Sequence, residues 1–398
     1  WLKASSPARP LHTMALLSVD TVASYVVEQL KAAGADSLIS SAAALTAREI
    51  EGGNLNYAFC VQEVGSERSV FVKQAPDFIK VLGPDAKLGR ERMILEVAVY
   101  REMGAALGAE VASKFLPPIY SFDKERMVVI MEFLGSHTLL QEALYAGKAD
   151  IDAATAMGEF MGLLHAKTHS TKVPSEVAER LKKEYANTEL RTVQMEHVFT
   201  KPFRDSERAA VLRADSAFSD ELEGLRAKYR GEEVANLALL HGDLHPGSVM
   251  ANGSDVKVID PEFAIYGPPG LDVGSLLSGY ILAYMYQVMT GADCAGTFAA
   301  AIADVWKAYA AALEANDLSG ELTAAISEDA ACFAACEVAR TALGCAGSRG
   351  LPLKDEALLA KAEEEALGMA RRVFLGRKGK GMELLLAELE RFASNVKS

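Results

Sequence analysis

The chain has 398 residues with a net charge of −13, and 50% of its residues are hydrophobic. It is too long for one small core and suits two or three units of roughly 150 residues each. The acidic balance repels nucleic-acid phosphate and no local basic patch offsets it, which argues against a nucleic-acid partner; ATP stays open, because a few focused cations and a metal outweigh a global sign.

Residues 1–15 read as a disordered leader. Lys3 and Arg9, with no acid before Asp20, give it a faint transit-peptide flavour. Residues 17–33 follow a helical period through Val19, Val22, Tyr25, Val26 and Leu30. A glycine-rich turn, Gly52-Gly53-Asn54-Leu55-Asn56, separates Glu49–Glu51 from the β-rich Tyr57–Val61. A second β-rich run, Val70-Phe71-Val72-Lys73, completes a hairpin with Lys73 near its close. A helix spans Leu88 to Met103 and carries Glu91 and Glu96. After Pro117-Pro118, Tyr120–Phe122 and Met127–Met131 form another hairpin running into Glu132-Phe133-Leu134-Gly135.

Beyond that point helical, alanine-rich segments dominate: 151–169, 175–187, 205–229, 271–290, 294–315, 319–348 and 354–395. Only 238–264 resumes strand character. This order of elements implies an α+β protein, a small mixed lobe (16–134) and a larger, mainly helical one (135–398), with the site in the cleft. Residues 273–292 carry no formal charge and are long enough for a membrane span, but Gly274, Ser275, Ser278, Gly279 and Gln287 make them too polar. A buried helix fits better, and no membrane partner is expected. Five cysteines without a C-x-x-C pair read as reduced thiols in a cytoplasmic protein. Cys332 and Cys336 share a helical face at i, i+4, a spacing that suits core packing and also metal binding.

Within 238–264 lie His241-Gly242-Asp243-Leu244-His245-Pro246-Gly247-Ser248 and Ile259-Asp260-Pro261-Glu262-Phe263. Phosphoryl transfer needs one acid that orients the attacking hydroxyl and another that holds the metal bridging the phosphates. Protein kinases write the pair as H-R-D-x-x-x-x-N and D-F-G. Asp243, after the apolar Ala238-Leu239-Leu240, takes the first role, and Asp260 with Glu262 the second. If the strand pleat continued, those two carboxylates at i, i+2 would face one side. Hard cations such as Mg2+ take oxygen ligands of this kind, and Ser248 stands where protein kinases place a metal-binding Asn. His241 and His245 read as braces of the loop.

Lys73 would hold the α/β-phosphates, fixed by an acid on the next helix, Glu96 first and Glu91 second. The Gly52–Asn56 turn would cover the phosphates, with Asn56 as a hydrogen-bonding group. Glu132, Phe133 and Leu134 would meet adenine through their backbone. His165-x-x-x-His169 has metal-like helical spacing but lacks the Glu of H-E-x-x-H, which favours packing.

Several segments together resemble the methylthioribose kinase family, a branch of the aminoglycoside phosphotransferase type with a bilobal protein-kinase-like fold. They are Gly53–Tyr57, Val72–Ala75, Val198–Phe203, His241–Ser248 and Lys257–Pro268, the last containing Asp-Pro-Glu-Phe-Ala-x-Tyr-Gly-Pro. The resemblance extends, with gaps, from about residue 20 to about residue 348. It implies transfer of the ATP γ-phosphate to the anomeric 1-hydroxyl of 5-methylthioribose, a step of methionine salvage. It assigns Asp243 to that hydroxyl, Asp260, Pro261 and Glu262 to the Mg2+–ATP end, and Asn56, Lys73 and Glu132–Leu134 to ATP. It also implies an Arg-Arg pair facing the sugar. Arg340 matches the first, Thr341 replaces the second, Gly347 stands for a usual His, and Pro246 replaces a common Thr. These departures bear on sugar selectivity. The rival readings are a related kinase for another small sugar or alcohol, and an inactive kinase-fold scaffold. A homodimer through the apolar helices of 273–315 is a further expectation.

Overall fold

The computed structural model describes residues 15–39, 44–231, 236–347 and 350–397. Of the leader expected over residues 1–15, all but Ala15 lies outside the described residues. Two compact units emerge. One comprises the chain up to Ile94 together with Pro118–Phe133; the other comprises Leu95–Pro117 and the chain from Leu134 onward.

In the smaller unit the described residues form α1 (Val19–Ala32) and an antiparallel sheet. Its strands are β1 (Leu45–Glu49), β2 (Tyr57–Glu63), β3 (Ser69–Gln74), β4 (Ile119–Asp123) and β5 (Val128–Glu132), in the order β1-β2-β3-β5-β4. A capping box between Ser18 and Thr21 starts α1. The alternation of β3 turns Val70 and Val72, with Phe59, Val61, Val128 and Ile130, into one core with Val22, Tyr25, Val26 and Leu30 of α1. Each such aliphatic burial stabilises by roughly 1.5–3 kcal/mol. The same alternation places Lys73, opposite Ala58 and Val129, on the other face of the sheet.

The first turn of α2 (Arg92–Leu107) belongs to the smaller unit and the rest to the larger. The larger unit continues with α3 (Ala109–Phe115), β6 (Thr138–Leu139), α4 (Leu140–Tyr145), α5 (Ile151–Thr168), α6 (Ser175–Glu184) and α7 (Thr188–Gln194). A π-turn at Met195–Thr200 leads into α8 (Lys201–Asp205), α9 (Ala210–Ala214) and α10 (Ser216–Tyr229). Two short sheets follow, β7 (Ala238–Leu240) with β10 (Ile265–Gly267), and β8 (Val249–Asn252) between β6 and β9 (Asp255–Val258). Helices α11 (Gly270–Met289), α12 (Ala295–Ala315), α13 (Gly320–Ala342), α14 (Glu356–Gly376) and α15 (Met382–Lys397) complete the unit.

The helix expected over 205–229 is broken, because Asp215 turns its carboxylate to the amide of Phe218 and starts a new helix. The single helix expected over 354–395 is two. Gly379 and Gly381 adopt φ of 72° and 47° between them, a conformation that ends a right-handed helix. Helix α11 is buried almost all round, and no helix among the described residues is long and apolar enough to cross a membrane. Gly158 and Gly162 of α5 leave room for the backbone of α12 at Val305 and Tyr309, which a side chain there would displace. The alanine-rich face of α13, including Ala330, Ala334 and Ala335, is fully buried.

Candidate active site

Strand β7 delivers His241, Gly242 and Asp243 into a loop held mainly through its backbone. Asp272, in the first turn of α11 and 1% exposed, accepts from the amides of His241 at 2.7 Å and Gly242 at 2.9 Å. Gln194 donates to the carbonyl of Gly242 at 2.8 Å, and Tyr229 donates to Gln194 at 2.7 Å. His241 donates from Nε2 to the carbonyl of Ile259 at 2.9 Å, leaving Nδ1 to accept from the amide of Asp243 at 3.3 Å. His245 Nδ1 accepts from Gly247 at 2.9 Å, and its Nε2 lies 3.7 Å from Asp243 Oδ2. Ser248 Oγ donates to the carbonyl of Asp243 at 3.1 Å, so this hydroxyl braces the loop. Both histidines act as the braces the sequence leads one to expect. The side chain of Asp243 is 21% exposed. Gly242 has φ of 87°, and a Cβ there would strike the carbonyl of Phe263. The glycine of His-Gly-Asp is thus what lets this loop and the Asp-Pro-Glu-Phe loop touch.

Asp260 is not on a strand. It adopts φ 65° and ψ 46°, the left-handed region that Asp tolerates better than most residues, and Pro261–Phe263 then form a 3-10 turn. The pleat expected to align Asp260 and Glu262 is therefore absent. The sharp reversal brings them together instead, with carboxylate oxygens of Glu96, Asp260 and Glu262 within 4.8 Å of one another. Glu96 and Tyr100 lie one turn apart on α2, and Tyr100 accepts from the amide of Asp260 at 3.1 Å. Asn187 donates to the carbonyls of Glu262 at 2.9 Å and Ala264 at 3.1 Å. Three hard oxygen donors, two of them buried, suit a small divalent cation such as Mg2+. Glu91, the second choice beside Glu96, is exposed just ahead of α2.

In the smaller unit Lys73 is buried near the end of β3. Asn56, 5% exposed, accepts from Arg92 at 2.8 Å. Arg92 also donates to the carbonyls of Leu55, Pro76 and Gly89, pinning the Gly52–Asn56 turn to the chain beyond β3. Glu132 closes β5 opposite Val70, and Arg48 stacks over the ring of Phe133 at 5.4 Å; Glu132, Phe133 and Leu134 are all half-buried.

A pocket opens beside the His-Gly-Asp loop in the larger unit. Gln141, Leu144, Tyr145, His245, Pro246, Ser278, Gly279, Glu337, Arg340 and Thr341 line it. Arg340 is not the solvated helix residue its position would ordinarily imply. Its side chain is 6% exposed, and Nη2 meets Glu337 at 2.8 Å. Thr341 donates to the carbonyl of Glu337 at 3.0 Å. Burial pushes the Tyr145 phenol up to about 12, so it stays neutral. Gly279 abuts the Pro246 ring, which a Cβ would overlap.

The remaining sequence candidates resolve into structure. His165 bonds Tyr309 at 3.1 Å and Asp272 at 3.4 Å, while His169 bonds Thr171 and Asn236. Cys332 and Cys336 are free, fully buried thiols. Sequence reasoning missed Asp272, Gln194, Asn187, Tyr100 and Glu337. Asp272 carried a signal, as a lone acid opening a long uncharged run, because a buried carboxylate needs donors. The others, scattered among ordinary helices, carried none.

Residues 46–314 match the family described as phosphotransferase enzyme family. A methylthioribose kinase of Exiguobacterium sibiricum is 32% identical over 321 residues, covering 76% of this chain and 80% of its own length. Another from Geobacillus kaustophilus is 30% identical over 377 residues, covering 87% and 92%. Among solved structures, choline kinase from Cryptosporidium parvum shares the fold, with a TM-score of 0.53 at 13% identity over 94% of this chain and 99% of that one. The chain belongs to the phosphotransferase enzyme family and, within it, to the methylthioribose kinase branch. It is a kinase with a protein-kinase-like fold, as its motifs imply.

Proposed function

We propose that the chain transfers the γ-phosphate of ATP to the anomeric 1-hydroxyl of 5-methylthioribose, giving methylthioribose 1-phosphate in methionine salvage. The observation that carries this reading is one loop: Asp243 is followed within three residues by His245 and Pro246, which line the pocket. Asp243 aligns the sugar hydroxyl and takes its proton. Asp260, Glu262 and Ser248 would hold Mg2+, with Glu96 beside the two carboxylates, and Lys73, Asn56 and Glu132–Leu134 would bind ATP. The metal, when bound, neutralises charge on the β- and γ-phosphates. Catalysis is then positioning and charge stabilisation by groups fixed in advance. Leu144, Tyr145 and Pro246 offer the methylthio group an apolar wall, and a small apolar difference of this kind is worth roughly 1–3 kcal/mol of discrimination. A cytoplasmic setting and a homodimeric state complete the proposal.

A steady-state assay with methylthioribose, ribose, choline and homoserine tests it. Methylthioribose should give the highest kcat/KM. No turnover of methylthioribose sinks the substrate assignment, and turnover of another acceptor alone would assign the chain to that alcohol. ADP release with none of the four would leave the transfer activity without its proposed acceptor, and no ADP release at all would favour a scaffold.

A further inference from the structure

A single arginine, 94% buried in a pocket, would by itself be an anion trap. Arg340 is not by itself. Glu337 lies one turn earlier on α13, its side chain only 9% exposed, and contacts Nη2 of Arg340 at 2.8 Å. The two charges cancel inside the pocket they line. The dyad still recognises polar groups: Arg340 Nε is buried without a hydrogen-bond partner, and a carboxylate offers more lone pairs than one ion pair uses. Among the described residues that line the pocket no other side chain carries a fixed positive charge: Gln141, Tyr145, Ser278 and Thr341 are uncharged, and His245 accepts from the Gly247 amide on Nδ1 and turns Nε2 toward Asp243. A donor next to an acceptor is the complement of adjacent hydroxyls, each of which donates and accepts.

We propose that Glu337 is a specificity-determining residue, which neutralises Arg340 so that the pocket accepts an uncharged polyhydroxylated sugar and turns away one that already carries a phosphate. This rests on the reading of the pocket as the acceptor site. Like charges held close in a poorly hydrated site are a strong discriminator. Glu337 needs to touch only the sugar and Arg340 to exert it.

The test compares methylthioribose with ribose 5-phosphate in wild type, Glu337→Gln, Glu337→Asp and Glu337→Gln/Arg340→Gln. Dissociation constants of ribose and ribose 5-phosphate are measured by calorimetry beside the kinetics. Glu337→Gln should shift the preference toward the phosphorylated sugar by about tenfold or more, mainly through KM and Kd. Glu337→Asp should restore discrimination, and so should the double variant, which lacks both charges. An unchanged preference in Glu337→Gln overturns the proposal, as does an equal fall in kcat for both sugars. If Glu337→Gln does not fold, Arg340→Gln carries the test: with Glu337 uncompensated it must bind ribose 5-phosphate more weakly relative to ribose, and failure to do so overturns the proposal. The dissociation constants need no turnover. An enzyme inactive on methylthioribose would therefore sink the substrate assignment while this inference is still judged on its own measurements.

Discussion

The acid-bearing loops and the pocket beside them are both parts of the larger unit, yet they are built differently. Between Leu240 and Ala264 the carboxylates ride on short loops. Their backbone is pinned by Asp272, Gln194, Asn187 and Tyr100, and one residue, Asp260, holds a left-handed conformation. Most of the pocket residues come instead from α4, α11 and α13, packed helices that hold them in place, and only His245 and Pro246 come from the His-Gly-Asp loop. Chemistry needs a few groups fixed to a fraction of an ångström, which short hydrogen-bonded loops supply. Recognition needs a shaped wall, which helices supply. Substitutions in the loops should therefore act on kcat, and those in the pocket on KM.

The largest expected effect is at Asp243. Asp243→Ala should lower kcat about 10²–10⁴-fold, the range usual for losing a general base, while ATP affinity by calorimetry stays near wild type. Preserved turnover would remove Asp243 from its role. Next is Asp272→Asn. The amide can accept from only one of the two backbone amides of His241 and Gly242, leaving a buried donor unsatisfied at a cost of about 1–3 kcal/mol. The result should be a fall in kcat of roughly 5–150-fold with KM for the sugar little changed. A rise in KM alone would break the division between loop and pocket.

The same contrast explains how much could be read beforehand. The loop motifs were legible because phosphoryl transfer restricts residue types over a short stretch, so Asp243, Asp260 and Glu262 stood out together. The condition for Asp260 and Glu262 to meet through a continued strand pleat is nonetheless not fulfilled. Asp260 reverses the chain there, and no periodicity announces a single left-handed residue. Glu96 could be picked out on α2, but not its place beside the other acids. Glu337 was invisible, since an acid three residues before an arginine on a helix is usually a solvated pair. Its burial comes from the packing of α13 among neighbouring helices, α11 and α14 foremost, and that is tertiary information. The small unit read well because strand alternation and glycine turns are local signals, whereas the break at Arg377–Gly381 was passed over in a long helical composition.

A pocket substitution sharpens the contrast. Gly279→Ala would force a methyl into the Pro246 ring. Overpacking of this kind typically costs about 1–3 kcal/mol. Because Pro246 lines the pocket and directly follows the loop brace His245, KM for the sugar should rise roughly tenfold, with a smaller change in kcat. Nucleotide affinity should not move. If kcat falls while KM holds, Pro246 belongs functionally to the loop and the boundary drawn here is misplaced.

The smallest effect concerns α13 itself, the helix that carries Glu337 and Arg340. Cys332 and Cys336 lie on its buried face, and burial pushes both thiols up, Cys332 to about 12. At pH 8 they should stay protonated and inert toward a thiol-directed disulfide reagent, while the half-buried Cys294 and Cys345 react first. A thiol whose folded pKa lies above its unfolded value contributes stability below the unfolded pKa, and that contribution declines as pH rises toward the folded one. The melting temperature should therefore fall above about pH 9, and less so in Cys332→Ala at equal starting stability. Labelling kinetics read α13 directly. If Cys332 reacts as fast as Cys345 under native conditions, α13 opens locally, and the pocket cannot owe its rigidity to helix packing.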